Sequence, residues 1–151
     1  MKAQIALILA TMLLNASALA SGDEMPTQKP GLWQITMTSD KMPGGSRSYK
    51  LCQDAASVAA GKASADAHLK NDCSKNSVRR EGDTWIADNE CTFSGSHVVS
   101  HSEMTAHNDE VFHTQIRSTN GAGKPQVMSI DHKYLGACEA GQKVGAPIVD
   151  K

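Results

Sequence analysis

The stretch that decides the fold of this chain reads Leu32-Trp33-Gln34-Ile35-Thr36-Met37-Thr38. Apolar and polar side chains alternate along it, which places Trp33, Ile35 and Met37 on one face of an extended segment. A repeat of two residues is typical of a β-strand with one buried face and one face in water. The stretch therefore predicts an opening strand in a sheet that buries a single apolar side.

A second strand follows directly after a turn. The turn-forming run Met42-Pro43-Gly44-Gly45 separates the opening stretch from residues 47–52. In that second segment Arg47, Tyr49 and Leu51 share a face. The two segments together predict a β-hairpin.

The chain after residue 73 repeats this pattern of alternating segments joined by short turns. The alternating segments are residues 77–80, 84–93, 97–106, 110–119 and 126–135. The side chains expected to face inward are Trp85, Ala87, Cys91, Phe93, Val98, Met104, Phe112, Ile116, Met128, Ile130 and Tyr134. Hairpin-connected strands of this kind predict a mainly β fold, an antiparallel meander of about seven strands that curls into an open barrel or half-barrel.

One helical insertion, near residues 54–70, interrupts the strands. Residues 53–72 contain seven alanines, and Asp54 is of the type that caps a helix. Gly61 divides the segment into two short runs, and only Val58 and Leu69 supply apolar bulk. We expect a weak and partly exposed helix.

The first 20 residues have the features of a secretory signal peptide. Lys2 gives the positive start, an apolar run follows at residues 5–14, and Ala18-Leu19-Ala20 supplies the small residues of a cleavage site. We expect cleavage between Ala20 and Ser21 and export of the mature chain. The mature chain is then expected to divide into a flexible segment, one β-rich domain and a loose tail, at residues 21–30, 31–138 and 139–151.

The balance of charge excludes one class of partner. The full chain of 151 residues has a formal net charge of −1, which becomes −2 once the leader with Lys2 is removed. Electrostatic binding of nucleic acid needs a basic face, so we expect no nucleic-acid partner. No later segment approaches the length of a membrane span, so no transmembrane segment is expected after cleavage.

Four cysteines in an exported chain indicate two disulfides. The preferred pairing joins Cys52 to Cys73, which closes the alanine-rich insertion, and Cys91 to Cys138, which ties an interior strand to the end of the domain. The alternative joins Cys73 to Cys91, because these two are nearly equidistant from Gly82 and could face each other across a hairpin, and leaves Cys52 to bond Cys138. No Cys-x-x-Cys motif supports a redox pair or a zinc knuckle.

Six histidines raise the question of a metal site. His97 and His101 would share the polar face of one predicted strand, and His113 on its hairpin partner could approach from the side. Residues four apart on a strand are separated by about 13 Å, whereas zinc donors lie about 2.0–2.2 Å from one point. We therefore predict no metal site and no cofactor, and keep copper or zinc handling by these three weak candidates as an alternative function.

Catalytic motifs are absent from the sequence. It has no Gly-x-Ser-x-Gly, no His-Glu-x-x-His and no phosphate-binding glycine-rich loop, so we predict no catalytic residues and no enzyme. Trp33, Trp85 and Tyr134 would face inward and could line a small apolar cavity. These three are the ligand-binding candidates, with core packing as the commoner role of such residues.

Several motifs occur in a distinctive order along the mature chain. They are Lys29-Pro30-Gly31-Leu32-Trp33, then Cys52, then Cys73-Ser74-Lys75-Asn76 leading into Arg79-Arg80-Glu81-Gly82-Asp83, then Tyr134-Leu135-Gly136-Ala137-Cys138. From residue 29 to about 142 the chain resembles the domain of unknown function 3617 family of exported bacterial proteins. Members often have Lys-Pro-Gly-Leu-Trp-Glu and Trp-Leu-Gly-Pro-Cys, from which Gln34, Tyr134 and Ala137 depart.

The resemblance implies a periplasmic protein of a Gram-negative bacterium, and it brings no established activity and no functional residues. The function predicted from the sequence is a non-enzymatic module that binds a small apolar ligand or an envelope protein. An enzyme of unknown class is the remaining alternative.

Overall fold

The computed structural model describes residues 24–121, 123 and 125–149. The predicted signal peptide and its cleavage site lie outside these residues. The described chain forms one sheet and one helix, and its elements are β1 (Gly31–Ser39), β2 (Ser46–Gln53), α1 (Ala55–Asp72), β3 (Cys73–Glu81), β4 (Thr84–Phe93), β5 (Ser96–His107), β6 (Val111–Asn120), β7 (Pro125–Gly136) and β8 (Pro147–Ile148).

All eight strands belong to a single antiparallel sheet with the order β3-β4-β5-β6-β7-β1-β2-β8. Strands β3 to β7 form a meander, and the β1–β2 hairpin joins it because β1 pairs with β7. Strands β3 and β8 are the two edges and do not pair with each other, so the sheet is open. The predicted mainly β, antiparallel and open fold is confirmed.

Two short turns hold the meander in register. Gly82 adopts a positive φ of 61° in the two-residue turn between β3 and β4. Asn108 and Asp109 have φ of 52° and 53° between β5 and β6, which suits the type of turn whose two central residues both have positive φ. The backbone N–H of Glu110 closes that turn by donating to the carbonyl of His107 at 3.0 Å.

The C-terminal part of the chain differs from the predicted loose tail. Strand β8 pairs with β2, and the backbone N–H of Gly145 donates to the carbonyl of Cys52 at 2.9 Å. An exposed sheet edge offers unpaired backbone groups, and this short strand satisfies some of those on β2. A two-residue pairing leaves no periodic pattern, which is why the sequence predicted about seven strands.

Helix α1 begins at a capping box. The backbone N–H of Ser57 donates to Asp54 Oδ1 at 2.7 Å, and the backbone N–H of Asp54 donates to Ser57 Oγ at 2.9 Å. The helix continues through Gly61 without a break, where two short runs were predicted, and none of its residues is buried. No helix in the described part of the chain is long and apolar enough to cross a membrane.

The core surrounds Trp33, whose side chain has no exposed surface. Its ring lies 5.6 Å from Phe112 and 5.2 Å from Tyr134 between centroids, and its Nε1–H donates to the carbonyl of Lys29 at 2.9 Å. Ile35 and Met104 complete the buried cluster. One flat layer would leave an open face, so complete burial of this indole requires the sheet to curve around it.

The other residues predicted to face inward follow the pattern with one clear exception. Ala87 and Cys91 are buried, whereas Val98, Ile116, Met128 and Ile130 are half-buried. Phe93 is 45% exposed, because it stands at the end of β4, next to the turn that leads into β5 and beyond the buried cluster. Its predicted burial was wrong.

The preferred disulfide pairing, Cys52–Cys73 with Cys91–Cys138, is wrong. The structure joins Cys52 to Cys138 and Cys73 to Cys91, which was the alternative. Helix α1 has 18 residues and a length of about 27 Å, and as a continuous rod it holds Cys52 and Cys73 apart. The β3–β4 turn instead sets Cys73 directly opposite Cys91.

The glycine before Leu32 gives a first prediction. Gly31 has a φ of 145°, and a Cβ built on it would contact the Tyr134 ring and lie 2.6 Å from the carbonyl oxygen of Gly136. Replacing Gly31 with alanine is expected to lower the free energy of unfolding by more than about 1 kcal/mol. Gly61→Ala is the control, because open space surrounds it in a helix, and it is expected to raise that free energy by about 1 kcal/mol. Equal changes in the free energy of unfolding for Gly31→Ala and Gly61→Ala, measured in urea, would contradict this description.

The two disulfides give a second prediction. Cys52–Cys138 closes a separation of 86 residues and Cys73–Cys91 one of 18. Loop-closure entropy predicts that Cys52→Ala with Cys138→Ala lowers the free energy of unfolding by about 4.5 kcal/mol. Cys73→Ala with Cys91→Ala is expected to lower it by about 3 kcal/mol. Urea unfolding measures both values, and peptide mapping without reduction checks the pairing. A Cys52–Cys73 peptide would refute it.

Candidate functional site

The predicted aromatic site does not form a cavity wall. Trp33 is fully buried, so it has no surface for a ligand, and its assignment as a binding residue was wrong. Trp85 is half-buried with the guanidinium of Arg80 4.5 Å from its ring centroid. Tyr134 has the ammonium of Lys29 at 4.0 Å from its ring centroid. All three aromatic side chains belong to the core or its margin, and none of them lines the cavities described below.

A cavity of about 480 Å³ instead lies between α1, the segment before β1, and β3. We call it the α1 cleft. About half of the residues that line it are polar, but most of the surface of its wall is apolar. The residues that line it are Glu24, Met25, Pro26, Thr27, Gln28, Gln53, Ser57, Val58, Gly61, Lys62, Ala65, Asp66, Leu69, Asn76 and Val78.

The α1 cleft exists because the helix carries too little apolar bulk to fill the space beneath it. Val58 and Leu69 are its only large apolar side chains, and both are only half-buried. Between them Gly61 and Ala65 line the cleft with almost no side chain. A Cβ placed on Gly61 would meet no atom within 4 Å. Since protein interiors are normally close-packed, this helix is held away from the sheet rather than packed onto it.

The segment before β1 forms the second wall. The carbonyl of Lys29 accepts the indole N–H of Trp33, and Met25 packs against the core cluster. At its start, Glu24 reaches the helix and accepts from Lys62 Nζ at 3.1 Å. The segment is therefore fastened to the core at one end and to α1 at the other. A second cavity of about 630 Å³ lies along the same segment and shares residues 26–28 with the α1 cleft.

The polar groups of the α1 cleft fall into two kinds. Lys62 at the rim is paired twice, with Asp66 Oδ2 at 3.0 Å and Glu24 Oε1 at 3.1 Å. Its hydrogen bonds to Asp66 and then Glu24 raise the pKa of Lys62 above 10.5. Gln53 differs, because its Oε1 is buried and no described residue donates to it. A buried carbonyl oxygen without a donor is costly, and because this atom has no accessible surface it is not open to the cleft.

The face of the sheet that points away from the core carries a charge ladder across four strands. Arg79 on β3 donates to Asp88 Oδ2 at 2.7 Å, and Asp88 Oδ1 bonds His101 Nδ1 at 2.6 Å. The other ring nitrogen, Nε2, lies 3.2 Å from Glu103 Oε1, and Arg117 donates to the same oxygen at 3.2 Å. The pKa of His101 is raised mainly by its bond to Asp88 and further by its bond to Glu103.

The two carboxylates of the ladder are held ionised by the same contacts. The pKa of Asp88 is lowered mainly by its hydrogen bond from His101 and further by the one from Arg79. The pKa of Glu103 is lowered mainly by its bond from His101 and further by the one from Arg117. Every charge in this row has an opposite neighbour. The ladder is a set of exposed cross-strand pairs, each worth little in stability, and it leaves no reactive group unpartnered.

The histidines considered as metal ligands are placed apart. His101 uses both ring nitrogens in the ladder, His113 Nδ1 bonds Asp131 Oδ1 at 2.6 Å, and His97 is exposed opposite Thr92. Within the described ranges no group of three His, Cys, Asp or Glu residues is arranged to hold a metal ion.

Comparison with family models finds a match. The model described as "Protein of unknown function (DUF3617)" matches residues 28–138. The chain belongs to the DUF3617 family. Comparison with curated proteins found no match, and comparison with solved structures found none either.

The DUF3617 motifs at the two ends of the matched region meet in the structure. Gly31 approaches the Tyr134 ring closely, Tyr134 contacts Trp33 edge-on, and Lys29 bonds Glu110 at 2.7 Å while covering the ring of Tyr134. These contacts join the beginning of β1 to the end of β7. The recognisable motifs of this DUF3617 protein therefore have a structural role.

The lining of the α1 cleft was not identified from the sequence. Gln53 was placed in the alanine-rich segment 53–72, and Met25 in a flexible segment. The one available signal was the shortage of large apolar side chains in residues 53–72, which indicates a helix that cannot fill its own interface. That signal predicts a gap but does not show what else borders it.

Two histidines of this DUF3617 protein give a third prediction. The pKa of His101 lies above 6.5 because of Asp88 and Glu103, whereas burial lowers the pKa of His132 below 6.5. Asp88→Asn is expected to lower the pKa of His101 and leave that of His132 unchanged, as NMR titration would show. Asp109→Asn, in a turn, is the control and is expected to shift neither.

The sign of the accompanying stability effect follows from linkage. The stabilisation from protonated His101 is complete below about pH 6.5 and disappears as pH rises through its higher folded value. For His132 the neutral form is favoured, so stability falls as pH drops below about 6.5. Coincident titration of the two rings in the wild-type protein would refute both assignments.

Proposed function

We propose that this DUF3617 protein is a non-enzymatic binding module of the periplasm that takes a small apolar ligand into the α1 cleft. The observation that carries the proposal is the cleft itself. Its volume of about 480 Å³ falls within the usual range of ligand sites, about 300–1,000 Å³. The mostly apolar surface of its wall is also typical of such sites.

The location in the periplasm rests on two features of the chain. The first 20 residues have the pattern of a signal peptide, and the two disulfides suit an oxidising compartment. A binding role rather than catalysis is supported by the chemistry around the cleft. Lys62, Glu24 and Asp66 at its rim are paired with one another, and the ladder that contains His101 lies on the opposite face of the sheet.

The packing of α1 supports the same function. A helix with no buried residue gains little from the sheet beneath it, apart from its cap and its tether at both ends. An apolar ligand in the cleft would bury the inner sides of Val58 and Leu69 and remove their apolar surface from water. Ligand binding is therefore expected to stabilise the helix.

A fourth prediction tests the cleft with two uncharged probes, the linear 1-decanol and the cage-shaped 1-adamantanol. At least one is expected to bind the mature protein in calorimetry. Ala65→Leu places a larger side chain in the cleft and is expected to weaken that binding at least tenfold. Ala67→Leu makes the same change on the same helix outside the cleft lining and is expected to leave affinity unchanged.

Two results would contradict the proposal. One is that neither probe binds the wild-type protein. The other is that Ala65→Leu and Ala67→Leu affect affinity equally, which would place the bound probe elsewhere on the surface.

A further inference from the structure

We infer that this DUF3617 protein has a second binding site, for a carboxylate with an apolar body, at the edge of the sheet where β8 meets β2. A cavity of about 460 Å³ lies there, and we call it the β2 groove. It shares no lining residue with the α1 cleft, so the two sites are independent. Apolar walls, an unpaired cation and an accessible hydroxyl together define the class of ligand.

The floor of the β2 groove lies next to the core. Met37 on β1 is opposite Arg47 on β2, and Tyr49 and Leu51 follow Arg47 at intervals of two residues, on the same face of the strand. Met37, Tyr49 and Leu51 are half-buried and pack against the cluster around Trp33. Each of the three is thus held in place by the core and also lines the groove.

The residues around β8 complete the apolar lining. The backbone N–H of Gly145 donates to the carbonyl of Cys52 at 2.9 Å, and Pro147 is paired with Leu51, so this segment is attached to β2. Val149 follows it and is 62% exposed, more than any other large apolar side chain in the described residues. A ligand with an apolar body would remove this surface from water.

Arg47 gives the groove its charge. Among the described arginines, Arg79, Arg80 and Arg117 each bond a carboxylate or a carbonyl oxygen. Arg47 has no hydrogen-bond or ion-pair partner, and none of the described residues that line the groove is acidic. A guanidinium presents a flat fork of N–H donors that fits a carboxylate through two parallel bonds. The groove therefore favours an anionic group.

Tyr49 supplies a second donor. It lies two residues from Arg47 on the same face, about 7 Å along the strand. Its hydroxyl has no partner among the described residues, and it is not one of their buried polar atoms, so solvent reaches it. A phenol O–H donates to carboxylate oxygens. A ligand carboxylate can accept from both side chains while its hydrocarbon part lies against Met37, Leu51 and Val149.

The β2 groove and the α1 cleft differ in the charge that they favour. In the α1 cleft Lys62 is outnumbered by Glu24 and Asp66, which disfavours an anion. In the β2 groove the charge of Arg47 is not opposed by an acidic residue of the lining. An apolar carboxylate is therefore expected in the β2 groove.

The test measures sodium decanoate, sodium hexanoate and 1-decanol on the mature protein by calorimetry. Decanoate is expected to bind at least tenfold more tightly than hexanoate, because it has four more methylene groups to place against the apolar lining. Its affinity is also expected to depend on Arg47, whereas that of the uncharged 1-decanol is not.

Two variants test the charge. Arg47→Gln removes the guanidinium and is expected to weaken decanoate binding about three- to tenfold, while 1-decanol binding stays within twofold. Lys133→Gln removes an exposed cation on β7, beside Gln34 on the face of the sheet away from the core. It is expected to leave decanoate binding within twofold.

Two further variants test the apolar lining. Val149→Ser is expected to weaken decanoate binding about threefold, because it removes two methyl groups from the groove. Val127→Ser makes the same change at an exposed valine outside the lining and is expected to have no effect. Circular dichroism and urea unfolding of all four variants check that each is folded.

Several outcomes would overturn the second site. They are no binding of decanoate, no preference for decanoate over hexanoate, or equal effects within either matched pair of variants. Ala65→Leu, which fills the α1 cleft, is expected to leave decanoate binding unchanged, and a loss there would place the anion in that cleft instead. The proposed function of the α1 cleft is tested separately by the uncharged probes.

Discussion

Complete burial of the Trp33 indole is the constraint on which the remaining structure depends. A sheet of one layer has an open side, and an indole in its middle can lose all contact with water only if strands curve around it and another segment covers it. Phe112 and Tyr134 supply the neighbouring rings, and the indole N–H bonds the carbonyl of Lys29. That bond draws the residues before β1 across the concave side of the sheet.

The α1 cleft follows from this placement. The segment before β1 is attached to Trp33 at Lys29 and to the helix through Glu24 and Lys62, so it separates α1 from the sheet. The short side chains on the alanine-rich inner side of α1 do not fill the space between the helix and the sheet. A larger core would have removed the cleft, and this chain has only two residues each of Trp, Tyr and Phe. The disulfides compensate by restricting the unfolded chain.

The sequence predicted the fold well because a sheet with one buried face leaves a clear alternation of apolar and polar residues in each strand. The predicted bounds of β4 agree with the structure, and the cap at Asp54 is where it was expected. Strand β8 was missed because a pairing of two residues depends on tertiary position alone. The disulfides were misjudged because the insertion between Cys52 and Cys73 was expected to form a closed loop, whereas α1 is a rigid rod that holds its two ends apart.

The candidate site was the least predictable part, since it is defined by what the side chains do not fill. Trp33, Trp85 and Tyr134 were expected to line a cavity, yet large aromatic side chains in a small core are used to fill it. Three of the residues that line the cleft, Gln53, Val58 and Val78, lie on β2, α1 and β3 respectively. Nothing in the local sequence pattern of these elements relates the three residues. Only the position of α1 across the sheet brings them to one cleft.

The most direct test of this account is a crystal structure of the mature protein with 1-decanol. Electron density is expected for one chain between α1 and β3, in contact with Val58 and Val78. Density only in another cavity, such as the one of about 460 Å³ lined by Met37, Tyr49 and Pro147, or a cleft closed by direct packing of α1 onto β3, would contradict this placement.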